Sequence, residues 1–351
     1  MIVFILSLFS SGHKLRISSL YQLLVGKRTT SVLIYGFTHE LLFIHNSFPE
    51  LKQDKFYQIL QKIAQQGWIE INENEAKLTP AGADMLSEHQ IEHTGLRFDR
   101  YGRTGETSWR LIKFAVQVIS NLATGIQEYL PAETSPFYTF QLKKWLSESQ
   151  LPREILIDTA YESLVQLFSE IPEEAADFLA NQLSGNERTG LLPYQLAKNN
   201  DESAVYLQQS RCIHLLLAQI EKRPDSLWHA LIDSLLQQNF NQSMMITKQM
   251  FMNGQTIDQI MAIRHLKRGT VTDHLIEWAL FFDDFPYERI LSAETIGHLE
   301  PNKDSVREWR FSEWNGDGQL DYGEFRLYQI YLLRKEAIQN VNKWIKKIFW
   351  I

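Results

Sequence analysis

The sequence lacks the marks of several protein classes. It holds one cysteine in 351 residues, Cys212, which excludes a disulfide framework and any zinc site built on cysteines. Its 10 prolines and 17 glycines are too few for a fibrous or low-complexity chain. It has no apolar run of the roughly 20 residues that a membrane-spanning helix needs. The opening Met1–Phe9 (MIVFILSLF) is apolar but short, with no positive flank before it and no small-residue cleavage site after it. It reads as an apolar first element packed on its own domain, and the chain as soluble and cytoplasmic. An excess of positive charge is also missing: 35 Lys and Arg face 42 Asp and Glu, for a formal charge of −7. That excludes a chain that coats nucleic acid along its whole length, although local basic surfaces remain open.

What is present is enough apolar material, 44% of residues, for sizeable cores, in a length that suits two or three domains. Charge is segregated. Between Leu146 and Ala204 stand eleven acids and three bases, whereas Phe325–Ile351 carries Arg326, Arg334, Lys335, Lys343, Lys346 and Lys347 against Glu336 alone. The acidic excess is central and the far end is basic.

Periodicity divides the chain further. Leu15, Leu20, Leu23 and Leu24 recur at helical spacing, as do Phe56, Ile59, Leu60 and Ile63. Gly67–Ile71, a polar turn at Asn72–Glu75 and Lys77–Leu78 then read as a hairpin, with Thr79 and Pro80 placed to start another helix. Helix, hairpin and helix predict a winged-helix-like module over residues 1–95. The polar stretch Thr94–Ser108 predicts a linker at 96–108. Residues 109–240 read as all-helical, broken near Pro131–Pro136, Gly185–Gly190 and Pro224. Tyr161, Leu164, Leu167 and Phe168 form an apolar stripe there, expected as core. The fold class is therefore mainly α.

The strongest local signal lies in the remaining domain, 241–351. Asn253-Gly254 ends one helix, and Thr256 can cap a short second one over Ile257–Ile263. Arg264-His265-Leu266 then leads to a third helix near Arg268–Phe282, with Val271, Leu275 and Trp278 or Ala279 on its apolar side. This is the spacing of a helix-turn-helix, whose second helix points its N-terminal residues at the major groove. The candidate DNA-binding residues are Arg264, Lys267, Arg268, Thr270, Thr272 and Asp273. Arg and Lys suit phosphates and guanine edges, and Asp273 suits cytosine or a helix cap. His274 is expected as a packed side chain. A purely structural or protein-docking unit is the alternative.

Three other patterns compete. His89-Gln90-Ile91-Glu92-His93 matches H-x-x-E-H, in which two histidines on one helical face hold zinc. Its polar setting favours a solvated helix end. Glu313, Asn315, Asp317, Asp321 and Glu324 stand in the order of an EF-hand calcium loop, with Gly318 at the turn. The long Glu313 at the first position and the lack of a second copy favour a polar interhelix turn with no metal. The tail 326–351 mixes lysines with Trp344, Phe349 and Trp350. It fits a packed terminal helix, a partner-docking helix, a membrane-surface helix or a single-strand grip.

Arg16–Arg28, Gly254–Glu277 and Leu320–Leu327 together resemble the YpbB proteins of Firmicutes, which carry a C-terminal helicase helix-turn-helix domain. Met261 departs from the small residue expected between the two helices. The resemblance implies an accessory role beside a RecQ-type DNA helicase, in DNA repair or fork maintenance. No motor is legible: Gly26-Lys27 lacks the glycine of a phosphate loop, where Tyr21 stands, and Arg28 replaces the metal-binding hydroxyl. The expectation is a non-enzymatic protein without a cofactor, with duplex or forked DNA and the helicase as partners and no membrane. A helicase adaptor that never touches DNA and a helix-turn-helix transcription regulator are the alternatives.

Overall fold

Helical periodicity is realised along nearly the whole chain. The computed structural model describes residues 1–89, 92–197, 201–300, 306–316, 318 and 320–349, without the side chains of 338 and 340–349, and is mainly α with one small antiparallel sheet. Two units result, and sequence order does not separate them. Met1–Gly26 and Phe43–Phe240 form the first, and Lys27–Leu42 and Asn241–Ile351 the second.

The first unit begins with α1 (Ile2–Ser7), β1 (Leu15–Arg16) and α2 (Ile17–Leu24). The next helix, α3 (Thr30–Thr38), belongs to the second unit. The chain returns for α4 (Gln53–Gln65), the hairpin β2 (Ile69–Asn72) and β3 (Glu75–Leu78), and α5 (Pro80–Glu88). Strand order is β1-β3-β2, with Leu15 opposite Ala76 and Ile69 opposite Leu78. This is the winged-helix-like order expected, with α3 as an excursion between its second and third helices. The apolar stripe of α4 is buried at Phe56, Ile59, Leu60 and Ile63, which fixes the roll of the helix. Thr79 caps α5 by accepting from the Gly82 amide at 3.1 Å, with Pro80 at the first helical position. Gly82 is required there, because a Cβ would lie 2.1 Å from the Trp68 carbonyl oxygen. The apolar N-terminus packs inward: Phe4, Ile5, Leu6, Leu8 and Phe9 are buried.

The same unit continues through α6 (Phe98–Tyr101), α7 (Gly105–Thr124), α8 (Pro136–Ser149), α9 (Arg153–Ser169), α10 (Glu173–Ala180), α11 (Pro193–Leu196), α12 (Glu202–Glu221) and α13 (Leu227–Gln238). Helix α7 runs through the middle of the core, burying Trp109, Leu111, Ile112 and Ala115. Each buried indole finds an acceptor: Trp109 donates to Gln182 at 3.0 Å, Trp145 to the Leu227 carbonyl at 2.9 Å and Trp228 to Ser163 at 3.0 Å. An unpaired indole N–H would cost about 1–3 kcal/mol at each site.

Two expectations change in this unit. The stretch read as a linker is built into the core. Phe98 and Tyr101 are buried, Tyr101 donates to Glu221 at 2.8 Å, and Thr104 donates to the Leu235 carbonyl at 2.9 Å. Its polar residues are satisfied by α12 and α13 rather than by water, so polarity there does not mean exposure. In the α9 stripe Leu167 is core, but Tyr161 is 68% exposed. The helix rotates it about 120° from the buried line through Leu156, Ala160 and Leu167.

The second unit joins α3 to α14 (Gln242–Met252), α15 (Ile257–Arg264), α16 (Arg268–Phe281), α17 (Ala293–Leu299), α18 (Phe311–Trp314) and α19 (Tyr322–Phe349). Its core gathers Leu33 and Ile34 of α3 with Phe251, Ile260, Val271, Leu275, Trp278 and Leu327. Among the described residues no helix of either unit is long and apolar enough to cross a membrane.

Candidate nucleic-acid interface

Local sequence sets each corner of the helix-turn-helix. Asn241 starts α14 by accepting from the amides of Ser243 and Met244 at 3.0 and 3.3 Å. Gly254, at φ +91°, turns the chain after Asn253. Thr256 and Gln259 then form a reciprocal capping box: Thr256 Oγ1 accepts from the Gln259 amide at 3.2 Å and Gln259 Oε1 from the Thr256 amide at 2.9 Å. Helix α15 ends at His265 in the left-handed region, φ +52°, and the Leu266 amide reaches back to the Met261 carbonyl at 3.1 Å. Ile260, Val271 and Leu275 make the buried seam between α15 and α16. Met261 is half-buried at the margin of that core.

The six DNA-binding candidates do not share one surface. Arg264 turns toward α14, donating to the Ser243 carbonyl at 2.8 Å, to Ser243 Oγ at 2.7 Å and to Thr247 Oγ1. Thr247 is buried and also bonds His274 Nδ1 at 2.8 Å. Burial and then the Arg264 charge hold the His274 pKa down, so the ring is a neutral core group, as expected of a packed histidine. Arg264 is thus a structural clamp, because a guanidinium with buried acceptors within reach is held there. Thr272 faces the start of α19, where a Cβ on Gly323 would meet its Cγ2 at 2.7 Å. Asp273 is exposed but accepts from Thr30 Oγ1 of α3 at 2.5 Å. Thr270 is half-buried in the first turn of α16. Lys267 and Arg268 remain exposed, with Asp258 3.7 Å from Arg268 in a solvent-facing pair; such a pair holds a side chain only weakly.

From His274 to Leu280 every residue of α16 is buried, wrapped by α3, α14, α15 and α19. Only the first turn can meet a duplex, so α16 cannot lie in a groove along its length. The residues missed at the sequence level lie just before α3 and at the start of α14. Arg28 Nε donates to Glu277 at 2.6 Å, and Asn241 Nδ2 donates to the other carboxylate oxygen at 2.9 Å. A hint existed: Glu277 interrupts the apolar run Leu275–Leu280, and a carboxylate there needs a base. Nothing local says that the base comes from residue 28.

The competing motifs resolve differently. Helix α5 stops at Glu88 with His89 as its cap, Glu92 and His93 are not helical, and Gln90 and Ile91 of the motif lie outside the described residues. His93 sits against Phe4 and Phe43 and bonds Ser7 Oγ at 2.8 Å, while Glu92 pairs with Arg211 at 2.6 Å. In the calcium-loop sequence, Glu324 accepts from the backbone and hydroxyl of Ser292 at 2.9 and 2.6 Å, and Asp321 caps the Glu324 amide at 3.0 Å. Asn315 accepts from the Leu320 amide at 3.1 Å, and Glu313 lies 3.9 Å from Arg310. These groups start α19 and tie it to α17, and Asp317 lies outside the described residues. Among those described, no three His, Cys, Asp or Glu residues are gathered to hold a metal. Of the basic tail, Arg326 and Arg334 are occupied within the unit, bonding Gln329 at 2.7 Å and the Leu280 carbonyl at 3.2 Å respectively. The side chains of Lys343, Trp344, Lys346, Lys347, Phe349 and Trp350 lie outside the described residues.

Residues 243–329, from α14 into α19, match the family described as a helix-turn-helix domain. The chain therefore carries a helix-turn-helix domain at its C-terminal side. The chain is also similar to Protein YpbB of Bacillus subtilis (strain 168), 26% identical over 224 residues. That match covers 62% of this chain and 63% of the relative, less than two thirds of the relative's length. No solved structure matches.

Proposed function

We propose that the chain is a non-enzymatic DNA-binding accessory protein that acts beside a RecQ-type DNA helicase in repair or replication-fork maintenance. The observation that carries DNA binding is the helix-turn-helix domain at 243–329, with Lys267 and Arg268 exposed where α16 begins. The N-terminal end of a helix favours phosphate, and Gly269 leaves open space beside the backbone there. Duplex or forked DNA would be gripped by this turn, while positions 264, 272 and 273 hold the unit together. The helicase partnership rests on the resemblance to the YpbB proteins and their helicase helix-turn-helix domain.

The enclosure of α16 favours a second reading, an adaptor that binds the helicase without touching DNA. Fluorescence anisotropy of the whole chain with duplex and forked DNA at two salt concentrations separates them. Binding that weakens with salt is expected, and the variant K267E/R268E should lose affinity and about 2 units of the log–log salt slope. No binding at low salt selects the adaptor. Binding with the same affinity and slope in that variant refutes the α15–α16 turn as the contact.

A further inference from the structure

We propose that the outward face of α4, in the winged-helix-like part of the first unit, is a second duplex-DNA contact. This inference does not rest on the α15–α16 turn. Helix α4 follows α2 in the winged-helix order and runs directly into the β2–β3 hairpin, the place a groove-entering helix takes in a helix-turn-helix topology. Its roll is fixed by burial of Phe56, Ile59, Leu60 and Ile63 and by the Tyr21 ring 5.5 Å from that of Phe56.

What remains outside is unusual in composition. Lys52, Gln53, Asp54, Lys55, Gln58, Gln61, Lys62, Gln65 and Gln66 are the exposed positions of α4 and its two cap residues. Apart from Asp54, every one is Lys or Gln. A helix face that serves only as a solvated surface gains from Glu–Lys pairs four residues apart, and this one contains no glutamate. Three positive charges against one negative stand on it, in a chain whose net charge is −7. Lysine suits phosphates and guanine edges, and glutamine is a side chain that pairs in bidentate fashion with adenine. Lys55, Gln58, Lys62 and Gln65 follow one another at three- and four-residue steps, a single stripe about 15 Å long at 1.5 Å per residue. A major groove about 12 Å wide admits such a helix.

The hairpin tells which part would touch. Glu70 and Glu73 are exposed on it beside a single exposed lysine, Lys77, and Glu75 is half-exposed, so the wing is net negative, disfavours phosphate and leaves the contact to the helix. The contrast with α16 is direct: α16 offers one turn, whereas α4 offers its whole length.

The test uses the full chain with alanine in place of exposed residues of α4, which raises helix propensity and preserves the fold. Anisotropy with a labelled duplex of about 20 base pairs, over about 50 to 200 mM salt, should show K55A/K62A binding about tenfold or more weakly, with a salt slope shallower by about 1.8. Adding K55A/K62A to K267E/R268E should remove the binding that remains. Unchanged affinity and slope in K55A/K62A overturns the α4 contact while leaving the other site standing. If K55A/K62A weakens binding but K267E/R268E does not, the α4 contact holds and the α15–α16 turn falls. Because the sole cysteine, Cys212, is buried, a photo-crosslinker on Gln61→Cys reports α4 alone. Attachment to duplex DNA is the expected result, and attachment only to protein overturns the proposal.

Discussion

Replacing Arg28 with alanine tests whether a segment near the N-terminus really holds the helix-turn-helix unit. Glu277 is 7% exposed and takes two donors: Arg28 at 2.6 Å and Asn241 at 2.9 Å. Removing one partner of a buried pair costs about 3–5 kcal/mol, because the remaining charge is stranded. Here Arg28 is 26% exposed and Asn241 stays, so water and one amide partly compensate. The Arg28 guanidinium also lies 5.0 Å from the Phe281 ring centre, and alanine removes that cation–π attraction as well. Together these give a destabilisation of about 2–3 kcal/mol, below the fully buried case. Hydrogen exchange of the α16 amides in the whole protein reads the second unit separately from the first. A companion variant, E277Q, removes the stranded charge, so R28A in that background should cost only about 1 kcal/mol. Two results would refute the idea that the pair holds α3 to α16. One is a change in α16 protection below about 0.5 kcal/mol in R28A; the other is an R28A effect as large in the E277Q background as with Glu277 in place.

Two further outcomes follow from single contacts. Gly323→Ala would ordinarily favour a helix by up to about 1 kcal/mol, but its Cβ would lie 2.7 Å from Thr272 Cγ2. Urea denaturation should therefore show a destabilisation of about 1–3 kcal/mol, recovered by Thr272→Ser, which removes the methyl; absence of recovery would exclude that clash as the cause. His214 accepts from the Arg97 amide at 3.0 Å, and burial, followed by the Arg97 charge, pushes its pKa down to about 3. In the unfolded chain it protonates near 6.5, so its neutral burial costs nothing above that pH. Stability is lost as pH falls from about 6.5 toward 3, with a slope up to about 1.4 kcal/mol per pH unit. His214→Asn, which keeps an acceptor, should flatten that limb; an identical acid limb in the variant would assign it to other groups.

Much of the fold was legible because its signals are local. The cap at Thr256, the stop at Asn253-Gly254 and the start at Thr79-Pro80 depend on residues within four positions of one another, and all three stand where the sequence placed them. The hairpin follows from its polar turn, and the buried line of α4 from helical period. The candidate site was legible as a motif and not as a surface. Arg264, Thr272 and Asp273 look like groove-facing residues from their position in the motif, yet α14, α19 and α3 claim them. The stretch at 96–108 looks like a linker for the same reason: Arg100, Tyr101 and Thr104 are polar, but Glu221 and the Leu235 carbonyl, more than 100 residues away, satisfy them.

The sequence by itself determined where helices begin and end and which face of each is apolar, since caps, turns and periodicity act over one or two turns of chain. It determined as well that charge is segregated rather than spread. Only the tertiary structure decided that Lys27–Leu42 leaves the winged-helix-like order to pack beside α16, and that Glu277 finds its base in Arg28. It also decided that α16 is enclosed while α4 stays open along its length. Those outcomes depend on which apolar faces meet and on which buried charges need partners. The Arg28–Glu277 pair joins residues 249 positions apart, and no local pattern encodes the choice among the partners available.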